Sequence, residues 1–528
     1  MASIEHGAGK PEADVVAALS RADTYPGTTA NVEIRETHIS VVFLAGDRAY
    51  KLKKPLLLPF VDYSTPARRR HMCEEELRLN RRLAPDVYLG VNSVVIAEGG
   101  SATLGAPDDP QAADHVVVMR RFDEQRTLAA LVTHEGVCRR TLESVGARLA
   151  EFHASADAIG AEGATAALHA ALAENTDTLM ALAPQREFAG RVAALDRFCS
   201  AFFAARREEL EARARDGLVR DGHGDLRAEH VLLERGVEVV DCVEFDPALR
   251  MVDVACDIAF LTMDLERLGA TAAAGAVLAG YRAAGGDAGD DPLVAFFGVY
   301  RALVRTKVAL VRASQAGAPS TVAAKAEDHL VLAERLAWRA RAPAPIILAG
   351  LSATGKTRLA TELAARSGLP HLNSDPIRKR LAGVAPGAHA SAAAYGESFN
   401  LRTYEELGRL TREAITRNGG ALVDATFRRA EDRAAFVTGL GTLPAAATFV
   451  ECRAPVSVRL ERVRLRSADP HTVSDADERV VRAQTDDGRI EEDVPAGRHV
   501  TLRTDRELED IVDDLAALLD ARLARTAP

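Results

Sequence analysis

Residues Ile346-Ile347-Leu348-Ala349-Gly350-Leu351-Ser352-Ala353-Thr354-Gly355-Lys356-Thr357 restrict this chain more than any other stretch. The apolar run fits a buried strand, and Gly350 to Thr357 match G-x-x-x-x-G-K-[ST] at every fixed position. The amphipathic stretch 358–366 fits the helix that follows. Strand, glycine-rich loop and helix in this order make a phosphate cradle. Gly350 and Gly355 let backbone N–H groups close around phosphate oxygens, helped by the positive end of the helix. Lys356 is placed to reach the β- and γ-phosphates and the Thr357 hydroxyl to ligate Mg²⁺. The competing reading is a plain strand–turn–helix joint.

A chain of 528 residues exceeds one ordinary core. Pro343-Ala344-Pro345 interrupts it just ahead of the phosphate-loop strand, so the expected domains are 1–342 and 343–528. Beyond the break, β-rich segments at 369–372, 421–427, 448–452 and 499–504 alternate with helical stretches, the pattern of an α/β parallel sheet. The first domain reads as α+β. A hairpin at 39–44 and 49–53 turns at Gly46-Asp47 and puts Lys51 and Lys53 on one face. A helix at 65–83 carries Glu74, Glu75 and Glu76, a strand follows at 116–119 and a helix at 139–154. Helices dominate 165–217, 253–315 and 323–341, the last containing the single tryptophan, Trp338.

Net charge is −10, which offers no general nucleic-acid footprint. The six cysteines are scattered with no C-x-x-C pair, which suits a reducing compartment. The N-terminus has no apolar signal region, and no apolar run approaches a membrane span. The expectation is a cytoplasmic protein with no membrane partner.

Within the first domain, Arg220 to Leu233 contain His223-Gly224-Asp225, and Asp241 ends an apolar strand farther on. Two carboxylates at neighbouring strand ends, with a lysine on a distant hairpin, can bind Mg-nucleotide and activate a hydroxyl. Equally, Asp225 and Asp241 can simply cap turns. From about 37 to 315 the chain resembles the aminoglycoside phosphotransferase family, which has the bilobal protein-kinase-like fold. The resemblance implies that Asp225, in His223-Gly224-Asp225-Leu226, is the catalytic base and that Asp241 holds Mg²⁺. It further implies Lys51 as the phosphate-binding lysine, Glu76 as its helix partner (with Glu75 nearly as good a fit) and Met119 at the hinge. The family has asparagine at the position of His230, as a ligand of a second metal ion. An imidazole is a poorer ligand for hard Mg²⁺, and can instead take a softer metal or hold the loop by hydrogen bonding. Arg227 replaces the more usual histidine.

In the second domain, Asn373-Ser374-Asp375-Pro376-Ile377-Arg378 follows the second strand. Asp375 before Pro376 fits an N-cap with proline at the first helical position. It also fits a base accepting the proton of an acceptor hydroxyl, with Arg378 holding the substrate. Leu422-Val423-Asp424 is an apolar strand ending in a carboxylate, as a Mg²⁺ site requires. Arg459, Arg462, Arg464 and Arg466 form either a solvated helix face or a lid before the 470–477 loop. Arg462 is the residue expected to reach the transferring phosphoryl group. This domain resembles the P-loop kinases of small molecules and polynucleotides, often labelled AAA-type, which implies Asp375 as general base and Arg378 as acceptor ligand. The two domains together resemble bacterial fusions of the two families.

The resulting expectation is an ATP- and Mg²⁺-dependent phosphotransferase acting on a hydroxyl of a small molecule such as a sugar or amino sugar. The alternatives are an ATP-binding regulator with a degenerate kinase half, and a polynucleotide 5′-hydroxyl kinase. The latter is disfavoured by the scarcity of aromatics, 5% of the chain, on which bases would stack.

Overall fold

The computed structural model describes residues 10–525 except 26–30, 38, 59–60, 98, 315–319, 342–344, 386–387, 389–390, 443–446, 467–476, 485–493 and 495–497. Pro343-Ala344 and most of the 470–477 loop lie outside the described residues. The chain forms two compact units, Met1–Leu168 with Leu210–Ala288, and His169–Glu209 with Gly289–Pro528. These units do not coincide with the two sequence domains, because helical stretches ahead of residue 343 belong to the unit that holds the phosphate loop.

In the first unit a six-stranded sheet contains β1 (Glu33–Glu36), β2 (Ser40–Ala45), β3 (Arg48–Lys53), β4 (Tyr88–Ile96), β5 (Ala102–Gly105) and β6 (Asp114–Arg120). Its order is β1-β2-β3-β6-β4-β5, antiparallel throughout. Alternation sends Val41, Phe43, Tyr50 and Leu52 to one core and Leu44, Ala49, Val117 and Met119 to another. The helix Pro66–Asn80 starts at Thr65, whose side chain accepts from the Arg68 N–H. Two short antiparallel pairs complete the site region: β7 (Val219–Asp221) with β10 (Met251–Asp253), and β8 (Val231–Leu232) with β9 (Glu238–Val239). Helices Arg139–Ser155 and Thr271–Ala283 pack closely because Gly146 and Gly280 face backbone: a Cβ on Gly280 would lie 2.1 Å from the Glu143 carbonyl oxygen.

The second unit contains a five-stranded, wholly parallel sheet of β11 (Ile346–Ala349), β12 (His371–Asn373), β13 (Leu422–Asp424), β14 (Thr448–Arg453) and β15 (His499–Arg503). Its order, β12-β13-β11-β14-β15, puts the phosphate-loop strand in the centre. Ile346 and Leu348 pack against Leu359, Leu363, Leu515 and Trp338, while Ile347 and Ala349 pack against Tyr404, Leu407 and Phe436. Burial on both faces explains why this strand is continuously apolar. Trp338 sits on the helix Ser320–Arg341, so that helix builds the core of the phosphate-loop sheet. Arg341 on the same helix forms a buried ion pair with Asp520 at 2.6 Å.

Among the described residues, no helix is long and apolar enough to cross a membrane.

Candidate functional site

The phosphate loop has the backbone that its glycines permit. Gly350 has φ 133°, and a Cβ there would lie 2.5 Å from the Cys452 carbonyl oxygen on the neighbouring strand. Gly355 has φ 93° and caps the helix Lys356–Ser367. The loop and the strand end then meet: Thr357 Oγ1 donates to Asp424 Oδ2 at 2.6 Å, and Asn373 Nδ2 donates to the same oxygen at 2.6 Å. Parallel pairing of Asn373 with Asp424 sets this convergence. A hydroxyl and a carboxylate within hydrogen-bond reach form an oxygen donor set that fits Mg²⁺, whose remaining ligands are water and phosphate. Lys356 Nζ donates to the Leu351 carbonyl oxygen of the same loop at 2.8 Å.

The arginine helix Val456–Arg466 divides by face. Arg459 Nε donates to the Ser352 carbonyl oxygen at 2.9 Å. Arg462 reaches the Ala353 carbonyl oxygen at 3.4 Å and also donates to the Thr504 carbonyl oxygen. Burial, with Arg358 nearby, lowers its pKa. Arg464 instead pairs with Glu478 on the exposed side at 2.9 Å. Gln484, which nothing in its local pattern singles out, joins Arg459 on the loop. Its Oε1 accepts from the Ser352 N–H at 2.8 Å, and its Nε2 donates to Ser352 Oγ at 2.9 Å.

At Asp375 and Arg378 the local reading needs one correction. Asp375 does not cap the helix Ser374–Leu381; Asn373 does, its side chain accepting from the Asp375 N–H at 2.8 Å. A short amide side chain at the strand end reaches the orphan N–H before Asp375 can, which leaves the Asp375 carboxylate within the first turn. Arg378 is buried, donates to the Ala394 carbonyl oxygen at 2.9 Å and lies over the Tyr395 ring.

In the first unit Lys51 Nζ bonds Glu76 Oε1 at 2.8 Å and Asp241 Oδ1 at 2.7 Å. Glu75 faces outward and pairs with Arg78 at 2.7 Å, so Glu76 is the lysine's helix partner. Burial alone would lower the Lys51 pKa, but Asp241 and Glu76 outweigh it and hold it well above its ordinary value. Lys51 in turn keeps the Asp241 carboxyl far below the usual carboxylate range. Asp241 has φ 65°, a left-handed conformation that aspartate adopts more readily than most residues. Lys53 enlarges the network beyond what its alternation alone suggests. It is fully buried, bonds Glu76 Oε2 at 2.6 Å and pairs with Glu244, which also accepts from Tyr63 Oη at 2.8 Å.

The loop bearing Asp225 hangs on Asp257, whose carboxylate accepts from the N–H groups of His223 at 2.7 Å and Gly224 at 3.0 Å. His223 is buried against the Val240 carbonyl oxygen at 3.0 Å, and burial lowers its pKa to about 4. Arg227 Nε lies 3.0 Å from each Asp225 carboxylate oxygen. His230 Nδ1 is 2.9 Å from the Asp225 carbonyl oxygen, and its Nε2 is 2.9 Å from Arg227 Nη2 and 3.8 Å from Asp241 Oδ2. Met119 lies on β6, buried beside Leu44, Ala49 and Val240.

A family described as an AAA domain matches residues 346–488. The protein Rv2004c of Mycobacterium tuberculosis is 32% identical over 454 residues, covering 84% of this chain and 88% of its own length. A solved choline/ethanolamine kinase family protein from Mesorhizobium loti is 15% identical, with a TM-score of 0.40, over 61% of this chain and 94% of its own. A solved gluconokinase from Sinorhizobium meliloti is 20% identical, with a TM-score of 0.23, over 35% of this chain and 94% of its own. The N-terminal region thus holds the six-stranded antiparallel sheet, and the C-terminal region a parallel sheet with a phosphate loop that falls within the stretch matched by the AAA-domain family.

Proposed function

The chain belongs to the family of the mycobacterial protein Rv2004c, and on that premise we propose an ATP-dependent phosphotransferase that moves the γ-phosphoryl group to a hydroxyl of a small molecule, a sugar, amino sugar or similar polyol. The observation that carries the proposal is the meeting of Thr357 and Asp424 at 2.6 Å beside Lys356. Mg²⁺ held by Thr357 and Asp424 would neutralise charge on the β- and γ-phosphates when bound. Lys356 would leave the Leu351 carbonyl oxygen for a phosphate oxygen, a charge-assisted bond stronger than the one it gives up. Asp375 would take the acceptor proton, Arg378 would orient the acceptor, and Arg462 would turn from its carbonyl partners to the transferring group. In the kinase-fold half, Lys51 and Asp241 would hold a second Mg-nucleotide, with Asp225 as its base. A cytoplasmic location completes the reading.

The test is γ-phosphate transfer from ATP to sugars, amino sugars, aminoglycosides and 5′-hydroxyl oligonucleotides, with Lys356→Ala and Asp225→Ala beside the wild type. Loss with Lys356→Ala alone assigns transfer to the P-loop half, and loss with Asp225→Ala alone assigns it to the kinase-fold half. Labelled oligonucleotide would make the acceptor a nucleic acid. A second reading, an ATP-binding regulator with an inactive kinase half, draws on one observation, the engagement of both Asp225 oxygens by Arg227. It requires ATP binding with no acceptor labelled.

A further inference from the structure

Next to Asp225, the proposed base of the kinase-fold half, the chain supplies a cation of its own. Arg227 folds back on Asp225 with Nε 3.0 Å from each carboxylate oxygen and Nη2 2.9 Å from Oδ2. Its Nη1 pairs with Glu229, an exposed side chain, while Arg227 itself is only 15% exposed. The His230 ring lies between the two carboxylates, with Nδ1 3.9 Å from Asp225 Oδ2 and Nε2 3.8 Å from Asp241 Oδ2.

Hydrogen bonding assigns the ring. A carbonyl oxygen only accepts, so His230 Nδ1, 2.9 Å from that of Asp225, carries the proton. Nε2 therefore has a lone pair, and Arg227 Nη2, which only donates, fills it at 2.9 Å. Both groups that would reach a metal ion beside Asp225, its carboxylate and the imidazole, are thus committed to the guanidinium. The imidazole has no oxygen for hard Mg²⁺, and both Asp225 carboxylate oxygens already face a fixed positive charge. Asp241 differs in degree: Lys51 holds its Oδ1, but its side chain is 51% exposed, and one or two carboxylates with phosphate oxygens suffice for Mg²⁺.

We propose that the Arg227 guanidinium takes the place of a second metal ion in the kinase-fold half, leaving one divalent ion, on Asp241, to accompany the nucleotide. This rests on the reading that this half binds Mg-ATP. A guanidinium stays charged at every working pH, and its planar fork matches phosphate oxygens. Nε keeps Asp225 in place, while Nη1 exchanges exposed Glu229 for a phosphate oxygen. His230 is then a positioning residue that orients the guanidinium.

The experiment counts Mn²⁺ ions by electron paramagnetic resonance in the full chain with a non-hydrolysable ATP analogue. Lys356→Ala is present throughout to silence the P-loop site. With Arg227 intact, one Mn²⁺ per bound nucleotide is expected. Arg227→Ala should admit a second ion and weaken nucleotide binding at low Mn²⁺ by about tenfold, while Arg227→Lys, which keeps the charge, should stay at one ion. Two ions with Arg227 intact overturn the inference and leave nucleotide binding standing. One ion in Arg227→Ala with unchanged affinity also overturns it, as does faster transfer in that variant with one ion, which would make Arg227 a blocking side chain. If the kinase-fold half binds no nucleotide at all, the underlying reading falls and the inference with it.

Discussion

Each half presents a lysine proposed to bind phosphate, and the two are held in opposite ways. Lys356 is seated by its own loop, donating to a carbonyl five residues back. Lys51 is seated by carboxylates 25 and 190 residues away, Glu76 and Asp241. In the first case the cradle is mostly backbone, and few side-chain charges need to be matched. In the second, Lys51, Lys53, Glu76 and Glu244 form a desolvated network whose charges must balance, so site geometry and stability are bound together.

Removing one charged side chain from each site should therefore break the comparison open. Glu76→Ala leaves Lys51 without its helix partner and Lys53 with Glu244 alone, and should destabilise the kinase-fold half by about 3–5 kcal/mol. Hydrogen exchange of β2, β3 and the helix Pro66–Asn80 measures it, and unchanged protection would mean that the network does not carry this unit. Lys356→Ala should behave conversely, with full protection but transfer by the P-loop half reduced ~10²–10³-fold. A matching loss of folding stability there would erase the contrast.

Acid should separate the halves further. His223 is buried with a folded pKa of about 4, below its ordinary value of 6.5, so the unfolded chain takes up its proton first as pH falls. The stability this group contributes is complete above pH 6.5 and is lost progressively down to pH 4, up to about 3 kcal/mol. Urea unfolding at pH 7 and pH 5, resolved by hydrogen exchange of 219–232 against 346–357, should show the first segment weakening more. Equal weakening would sink the assignment to His223.

The smallest effect tests a likeness between the halves. Gly280 has its counterpart in Gly439, where a Cβ would lie 1.8 Å from the Glu405 carbonyl oxygen between helices Glu397–Asn418 and Ala430–Leu440. Alanine at either position should force its helix pair apart and cost about 1–3 kcal/mol. Thermal unfolding of the two variants checks this, and a neutral result at either would show that the pair relaxes freely.

The P-loop half was legible because its chemistry is local. The strand, the glycines, Lys356 and Thr357 are contiguous, and the apolar run into Asp424 marks the strand end that meets them. Asn373 was harder to find, because a cap and a carboxylate partner look alike in a linear string. Gln484 left no signal, since its contact with Ser352 spans 132 residues. In the other half, Glu74, Glu75 and Glu76 sweep around a helix at about 100° each, and no pattern says which one faces Lys51. Sequence alternation placed Lys53 beside Lys51 without revealing that it is buried.

The order of elements, the parallel sheet, the phosphate loop and the hairpin lysine were determined by the sequence alone, because backbone period, glycine freedom and motif spacing act over a few residues. Tertiary structure decided which glutamate pairs with Lys51, that Asn373 and not Asp375 caps its helix, and that Arg227 closes on Asp225. It also decided that the helix bearing Trp338 packs into the core of the phosphate-loop sheet, where the sequence break at 343 had assigned it to the first domain. Each of these depends on burial and charge matching between residues far apart in the chain, which no local pattern encodes.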